Sequence, residues 1–368
     1  MENLSELLTR DEKAVFTLRA LYNKYGYSQY KMSKFEEYDL YLEYKKFLQT
    51  ENIITFTDLH GKLYALKPDI TLSIAKNANS AQPQKLYYKE NVYRASKDTK
   101  EYKEITQLGL EYIGEIDSYT MAEAVLLAAK SLKLISESYI LDISHMGFIS
   151  GLFEQAGLSD VQQEKLLGFL GKKDTHEMLY CCGQFGIEKE MSAKIVSLCE
   201  IYGSFEETLP KIKALVINDK MADAIKEMEA LYSVLSAMGE GEHINLDFSI
   251  VNDMSYYNGV IYRGYVKDVP FSVLSGGRYD NLLQKLGKNC QAIGFAVYVD
   301  LLELYDKHSR EYDVDVLVTY TNEDSPAAVA AVAEKYISEG KSVKVLSTVP
   351  ETLKYREKVS VSKKGAEE

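Results

Sequence analysis

The sequence predicts an α+β protein in which a mostly antiparallel sheet is flanked by helices. Strand-like segments fill much of the chain before residue 145 and return after residue 243, whereas the stretch at about 148–240 is helix-like with short polar breaks. A strand–helix–strand pattern follows at 314–346. Strands and helices segregated in this way are typical of α+β folds rather than of doubly wound parallel sheets. The absence of GxGxxG and Walker A motifs also argues against phosphate-loop enzymes.

The elements before the helix-like stretch are predicted from periodicity and capping signals. Residues 9–25 form a helix with Thr9 as N-cap, Glu12 at the capping-box position and Gly26 at the end. A hairpin is expected from strands at 53–57 and 62–66 around the turn 58–61. The remaining predictions here are strands at 85–92 and 108–113, paired across a loop at about 95–105, a helix at 118–135 and a strand at 139–143.

The second half of the chain predicts a return to strands and then a short α/β unit. The predicted strands are 245–251, 258–266, 271–274 and 291–294, the last between two helices. The tail predicts a strand at 314–319, a helix at 325–338 ended by Gly340, a strand at 342–346 and a frayed end after 356. We therefore expect a domain at 1–310, with a helical insert at about 148–240, and a truncated unit at 311–368.

Composition limits the classes of function. The net charge of −12 argues against a nucleic-acid partner, because proteins that bind nucleic acid need a basic surface to displace phosphate counterions. The four cysteines include no CxxC pair, so no metal site, redox pair or cofactor is predicted, and structural thiols fit a cytoplasmic protein. Neither a signal peptide nor a membrane-spanning segment is predicted.

Four segments carry polar groups in places where chemistry could occur. They are Leu66-Lys-Pro-Asp-Ile-Thr71; the pair 87–94 and 106–111; Ser255-Tyr-Tyr-Asn258; and Leu274-Ser-Gly-Gly-Arg-Tyr-Asp280 with 292–296. Gln107 and Glu111 are an even number of residues apart and therefore share one strand face. The pattern alone favours a solvated face there, the alternative being a cationic ligand. Gly276-Gly277 fits either a close backbone approach or a turn, and the pattern alone favours core positions for Tyr256 and Tyr257.

Together, in order and spacing, these segments resemble the catalytic domain of histidyl-tRNA synthetases over roughly residues 5–305. The resemblance implies a class II synthetase fold with a histidine pocket. Carboxylates at 69 and 111 would hold the α-amino group, Gln107 and the tyrosines would suit the imidazole, and Arg94 matches an arginine that contacts the ATP α-phosphate and the amino-acid carboxylate. The implied pocket residues are Asp69, Thr71, Arg94, Gln107, Glu111, Tyr256 and Tyr257.

The chain departs from that family where ATP would bind. Asn252 replaces the catalytic arginine, Leu301 replaces the arginine that holds the γ-phosphate, and Ser96 replaces an ATP-contacting glutamate. Since adenylation depends on stabilising charged phosphate oxygens, these losses predict a protein with no catalytic residues. The roughly 55 residues at the C-terminus are also too few for a complete anticodon-binding domain.

The sequence retains the residues expected to bind histidine but lacks those expected to bind ATP. In this respect the chain resembles the ATP phosphoribosyltransferase regulatory subunits. That resemblance implies a non-enzymatic, allosteric role in histidine biosynthesis. The partner would be a short catalytic subunit in a hetero-octamer, with self-association as a dimer and histidine as effector. The sequence leaves open whether histidine binds in the pocket or at the subunit interface. The alternatives are a free-standing synthetase-like amino-acid sensor, a tRNA-binding paralogue or a divergent histidyl-tRNA synthetase.

Overall fold

The computed structural model describes residues 8–45, 48, 53–79, 82–95, 101–251, 256–306 and 312–361. The chain divides into two compact units, Met1–Leu304 and Tyr305–Glu368. Among the described residues, no helix has both the length and the apolar character needed to cross a membrane.

The first unit is organised around a large sheet. The described strands of the first unit are β1 (Ser28–Gln29), β2 (Phe35–Glu37), β3 (Thr55–Thr57), β4 (Leu63–Leu66), β5 (Gln84–Ala95), β6 (Tyr102–Gly114), β7 (Tyr139–His145), β8 (Tyr202–Ser204), β9 (Ile244–Asp247), β10 (Val260–Val266), β11 (Leu274–Arg278) and β12 (Gln291–Tyr298). Nine of these described strands form one sheet in the order β1-β5-β6-β12-β11-β10-β7-β9-β8. Only the pairs β1–β5 and β7–β9 are parallel within it, so the predicted antiparallel sheet is confirmed. Strands β2, β4 and β3 form a separate small antiparallel sheet.

Helices flank this sheet. Those preceding the second unit's strands are α1 (Arg10–Lys24), α2 (Tyr38–Glu43), α3 (Thr71–Asn77), α4 (Ser118–Ile135), α5 (Met146–Gln155), α6 (Asp160–Leu170), α7 (Thr175–Gln184), α8 (Lys189–Ser197), α9 (Phe205–Lys213), α10 (Asp219–Ala237), α11 (Asp280–Lys285) and α12 (Val299–Asp306). Helix α4 packs on β7, β10 and β12 and against α1 and α10. The predicted α4 stripe of Met121, Val125, Ala128 and Leu132 is buried, as expected of a core-facing helix.

Most local predictions in the first part of the chain are confirmed. Thr9 and Glu12 form the capping box of α1, and Gly26 follows it with φ +81°. Strands β3 and β4 form the hairpin, and β5 pairs with β6 as predicted. Both of these long strands extend further than the sequence indicated, because β-pairing continues into part of the expected loop. The rest of that loop, 96–100, lies outside the described residues.

Three predictions, in the insert and after it, are wrong in detail. The stretch at 148–240 is not purely helical, since β8 adds an edge strand to the main sheet by pairing with β9. Strand β9 ends at Asp247 rather than 251 because the Asp247 carboxylate accepts hydrogen bonds from the Ser249 N–H (2.8 Å) and hydroxyl (2.6 Å), which turns the chain. The strand predicted at 271–274 begins only at its last residue, Leu274, and continues to Arg278.

The second unit is a small parallel α/β unit. It contains β13 (Val314–Thr319), α13 (Pro326–Ser338), β14 (Val343–Leu346) and β15 (Tyr355–Ser360), in the sheet order β14-β13-β15. The predicted strand–helix–strand pattern is confirmed, with Ser325 capping the helix. The predicted fraying after 356 is wrong up to 360, because β15 pairs with β13. Residues 362–368 lie outside the described part of the chain.

Candidate ligand-binding site

A pocket lies on one face of the main sheet, where polar side chains from distant segments meet. Its lining residues are Asp69, Thr71, Tyr88, Arg94, Gln107, Glu111, Tyr256, Tyr257, Ser275, Gly276, Tyr279, Gly294, Phe295, Ala296 and Tyr298. All seven residues singled out in the sequence are among them. The four sequence segments therefore converge on a single site.

The start of helix α3 supplies two of the pocket residues. The Asp69 carboxylate accepts a hydrogen bond from the Leu72 N–H at 2.8 Å, which fixes its position at the first turn of the helix. Thr71 is the first residue of that helix, and its hydroxyl donates to Glu111 at 3.1 Å. The backbone that begins α3 thus holds one hydroxyl and one carboxylate towards the sheet.

Glu111 is the more deeply buried of the two pocket acids. It is 2% exposed, and its carboxylate accepts hydrogen bonds from the hydroxyls of Thr71 (3.1 Å) and Tyr279 (2.7 Å). Burial raises the pKa of Glu111 to about 8, despite these two hydrogen bonds. The solvated face favoured by the pattern alone is therefore wrong, since Gln107 is also buried, at 5% exposure. No cation of the described residues forms an ion pair with Glu111.

The stability of the protein is expected to fall as the pH rises from about 5 to about 8. Because the pKa of Glu111 is raised on folding, to about 8, the folded state binds more protons than the unfolded state within this window. Each pKa unit corresponds to about 1.4 kcal/mol, so this one group contributes on the order of a few kcal/mol. Thermal melts of Glu111→Gln across this window should show a weaker fall in stability with rising pH. An unchanged pH dependence in the variant would contradict the raised pKa of Glu111.

Asp69 and Arg94 form a partly buried pair at the side of the pocket. The Arg94 Nη2 lies 3.5 Å from an Asp69 oxygen, and its Nε donates to the Pro68 carbonyl at 2.8 Å. Burial raises the pKa of the Asp69 carboxyl, while the guanidinium opposes that rise. Arg94 is therefore already engaged with the acid beside it.

Tyr256 and Tyr257 close the pocket from above the sheet. Their ring centroids are 4.5 Å apart, and both half-buried rings pack against the neighbouring hydrophobic cluster while lining the cavity. A Cβ on Gly277 would lie 2.8 Å from the Tyr257 ring. Of the two alternatives for Gly276-Gly277, close approach therefore applies, and both residues lie in strand β11 rather than in a turn.

Sequence reasoning missed several residues of the pocket wall. Tyr279 donates to Glu111, and the Ser275 and Tyr298 hydroxyls are hydrogen-bonded at 2.7 Å. A Cβ on Gly294 would lie 1.8 Å from a Glu111 carboxylate oxygen, so this glycine makes room for the acid. Tyr279 and Gly294 lie within the segments already singled out. The sequence therefore indicated where these residues are in the chain, but it could not predict their contacts with Glu111.

The pocket as folded is nearly full. Its free space is about 40 Å³, which suits two or three water molecules rather than an amino acid. A ligand the size of histidine therefore requires side chains of the pocket wall to move.

A neighbouring groove, which contains Leu301 and shares Tyr298 with the pocket, is poor in cations. It is lined by Lys103, Glu104, Ile105, Ser272, Tyr298, Asp300 and Leu301. Asp300 accepts a hydrogen bond from the Thr106 N–H at 2.8 Å, and Leu301 offers no charge. Asn252 and Ser96 lie outside the described residues. Within the described ranges, no cluster of three or more His, Cys, Asp or Glu residues is arranged to hold a metal ion.

Comparison with known proteins agrees with this geometry. A family model described as Histidyl-tRNA synthetase matches residues 2–302. An ATP phosphoribosyltransferase regulatory subunit of Clostridium kluyveri is 32% identical over 322 residues, covering 83% of this chain and 82% of the relative.

Solved structures share the fold. A protein of Bacillus halodurans, described as an ATP phosphoribosyltransferase regulatory subunit/histidyl-tRNA synthetase, matches with TM-score 0.75 and 26% identity, covering 95% of this chain and 93% of that one. A chain of the ATP phosphoribosyl transferase (HisG:HisZ) complex from Thermotoga maritima matches with TM-score 0.62 and 19% identity, covering 78% and 97%. The class II synthetase-like fold is confirmed, and the chain belongs to the family of ATP phosphoribosyltransferase regulatory subunits.

Proposed function

We propose that this chain is the non-catalytic regulatory subunit of an ATP phosphoribosyltransferase in histidine biosynthesis. It activates a separate, short catalytic subunit and conveys feedback inhibition by histidine. The names of the relatives support the regulatory role.

The observation that carries the proposal is the contrast between the two halves of the cleft. The amino-acid half keeps two buried acids, Asp69 and Glu111, within one polar pocket. The groove beside it offers Lys103 against the carboxylates of Glu104 and Asp300, with Leu301 where a synthetase has an arginine. A polyanionic nucleotide therefore lacks charge partners, whereas an amino acid does not.

Histidine is the effector in this proposal, and the pocket is its site. Asp69, Thr71, Arg94, Gln107, Glu111, Tyr256 and Tyr257 surround the space that an amino acid would take. Glu111 has no charged partner among the described residues and has a raised pKa, so a cationic group of the ligand would supply the missing charge. Of the two locations left open by the sequence, this favours the pocket over the subunit interface.

The partner is the short catalytic subunit, and the assembly is a hetero-octamer with four copies of each chain. The complex from Thermotoga maritima, whose name joins two kinds of chain, supports such a pairing. The cytoplasm is the proposed location, because the four cysteines are free thiols, three of them buried, which suits a reducing compartment. The segment 311–368 is proposed to be a shortened anticodon-binding-like unit without a role in tRNA recognition.

Self-association as a dimer is part of the same proposal. The small sheet of β2, β4 and β3 has a face that carries Phe35 (50% exposed), Phe56 (38% exposed) and the half-buried Tyr64, with the two phenylalanine ring centroids 5.2 Å apart. Contiguous exposed apolar surface of this kind is characteristic of protein contacts. We call these three residues the aromatic face.

Replacing Phe56 by lysine is expected to weaken dimerisation by about 10-fold or more, because a buried charge would have no partner. Sedimentation equilibrium measures the dissociation constant. Tyr180→Lys is the matched control, since Tyr180 is 59% exposed on helix α7 of the insert. Equal behaviour of both variants would exclude the aromatic face as the dimer contact.

The experiment that tests the proposed function separates it from its alternatives. The isolated chain should give no histidine-dependent ATP–pyrophosphate exchange. When it is mixed with a short-form catalytic subunit, the two proteins should co-migrate on a sizing column. Charging of tRNA with histidine would establish a divergent synthetase instead. Strong, salt-dependent tRNA binding without co-migration would favour the free-standing sensor or tRNA-binding paralogue.

A further inference from the structure

Arg263 lies next to the pocket on the ligand side of the sheet. It belongs to strand β10, where its register partner on β11 is Ser275, a residue of the pocket wall. Residues directly opposite each other on neighbouring strands project to the same face, and the strands are about 4.8 Å apart. Arg263 therefore projects from the same face as the pocket, one strand away.

A second, separate cavity lies between Arg263 and the pocket. It has a volume of about 20 Å³ and is lined by Ile250, Val251, Tyr257, Ile261, Tyr262, Arg263, Ser275 and Gly276. Tyr257, Ser275 and Gly276 line both cavities. The Tyr257 side chain is the only large one of these three, so its rotation would join the two spaces.

The charge of Arg263 is not paired with a carboxylate within the described residues. Its Nη2 donates to the Val251 carbonyl at 3.4 Å, and the Tyr265 hydroxyl is a second neutral partner. Asp142, its register partner on β7, instead accepts from the Asn245 amide at 3.2 Å. By contrast, Arg94 lies 3.5 Å from an Asp69 oxygen, so its charge is already compensated.

Tyr257 stands between this cation and the pocket acids. Burial raises the pKa of the Tyr257 hydroxyl, the charges of Glu111 and Asp69 raise it further, and the charge of Arg263 opposes them. All three charged groups thus act on one hydroxyl. A free amino acid carries one anionic and one cationic group on the same carbon, which matches a pocket with acids on one side and an arginine on the other.

We propose that Arg263 binds the α-carboxylate of the effector amino acid once Tyr257 moves aside. This deepens the proposed function and rests on it. The Arg263 guanidinium takes over an anchoring role that the family resemblance gave to Arg94, whose own guanidinium already contacts Asp69 and the Pro68 carbonyl. The acids of the pocket then meet the cationic part of the same ligand.

Calorimetric titration of the full chain with histidine and with histidinol, which has a hydroxymethyl group in place of the carboxylate, tests this role. Arg263→Met should lower histidine affinity by about 10- to 100-fold, the usual effect of removing a charged hydrogen bond, and leave histidinol affinity unchanged. Arg263→Gln, which keeps a donor for Val251 without the charge, should do the same and is the second variant if methionine impairs folding. Arg356→Met, at a site 68% exposed in the second unit, is the control.

The outcomes separate this inference from the proposed function. If wild-type chain binds histidine and the Arg263 variants bind it equally well, the carboxylate role is wrong and the effector proposal stands. Equal losses of histidine and histidinol affinity would also overturn it, since a merely structural arginine would act on both ligands. If wild-type chain binds neither ligand, alone or with its catalytic partner, both proposals fail.

Discussion

Replacing Glu111 by glutamine is expected to weaken histidine binding by about 100-fold or more. Glu111 is 2% exposed, and its partners among the described residues are the hydroxyls of Thr71 and Tyr279, so a cationic group of the ligand would form a buried ion pair with it. Removing one member of such a pair typically costs about 3–5 kcal/mol. Glutamine keeps the shape of the side chain and can still accept from Thr71 and Tyr279, which limits other effects.

The pH dependence of binding provides a second check on the same acid. Because burial raises the pKa of Glu111 to about 8, pairing with a cation should release a proton at neutral pH, and histidine affinity should rise as the pH approaches 8. Calorimetry in buffers with different ionisation enthalpies measures that proton. Glu115→Gln is the control, since Glu115 follows the same strand and is exposed. No proton release, together with full affinity of Glu111→Gln, would contradict the account.

Replacing Gly294 by alanine is expected to destabilise the fold by several kcal/mol and to remove the histidine response. The added Cβ would lie 1.8 Å from a Glu111 oxygen and 2.4 Å from the Leu110 carbonyl oxygen. The first contact could be relieved by moving a side chain, but the second is with backbone in the middle of the sheet. Overpacking of this kind usually costs about 1–3 kcal/mol, and displaced backbone costs more.

Gly183→Ala is the matched control for this substitution. Gly183 lies exposed in helix α7, and a Cβ there would meet nothing within 4 Å. Because alanine is favoured over glycine in helices, this variant should be neutral or more stable by up to about 1 kcal/mol. Chemical denaturation measures both. A Gly294→Ala variant as stable as Gly183→Ala would mean that Glu111 does not occupy the space above Gly294.

Elements with strong periodicity or clear caps could be predicted from the sequence. Helix α4 has the predicted bounds, 118–135, because its apolar stripe and the Asp117 cap agree. The short strands β8 and β15 could not be predicted, since their residues are polar or exposed and they exist only through pairing with β9 and β13. Tertiary pairing decides such segments rather than local propensity.

The residues of the candidate site could be predicted from the sequence, but their burial and contacts could not. Resemblance brought together the seven pocket residues from segments far apart in the chain, and the structure places them around one cavity. The pattern alone could not decide whether Glu111 faces solvent, because burial depends on α3 and on Tyr279, which cover it from other parts of the fold. The role of Arg263 could not be predicted from the sequence, because it depends on the tertiary neighbours Tyr257 and Ser275.

Formation of phosphoribosyl-ATP by a short-form catalytic subunit from the same source, measured with and without this chain and with and without histidine, tests the central claim most directly. The account predicts activity that appears or rises strongly only in the mixture and falls as histidine is added, with the fall weakened in Glu111→Gln. A catalytic subunit whose rate and histidine sensitivity are unchanged by this chain would contradict it.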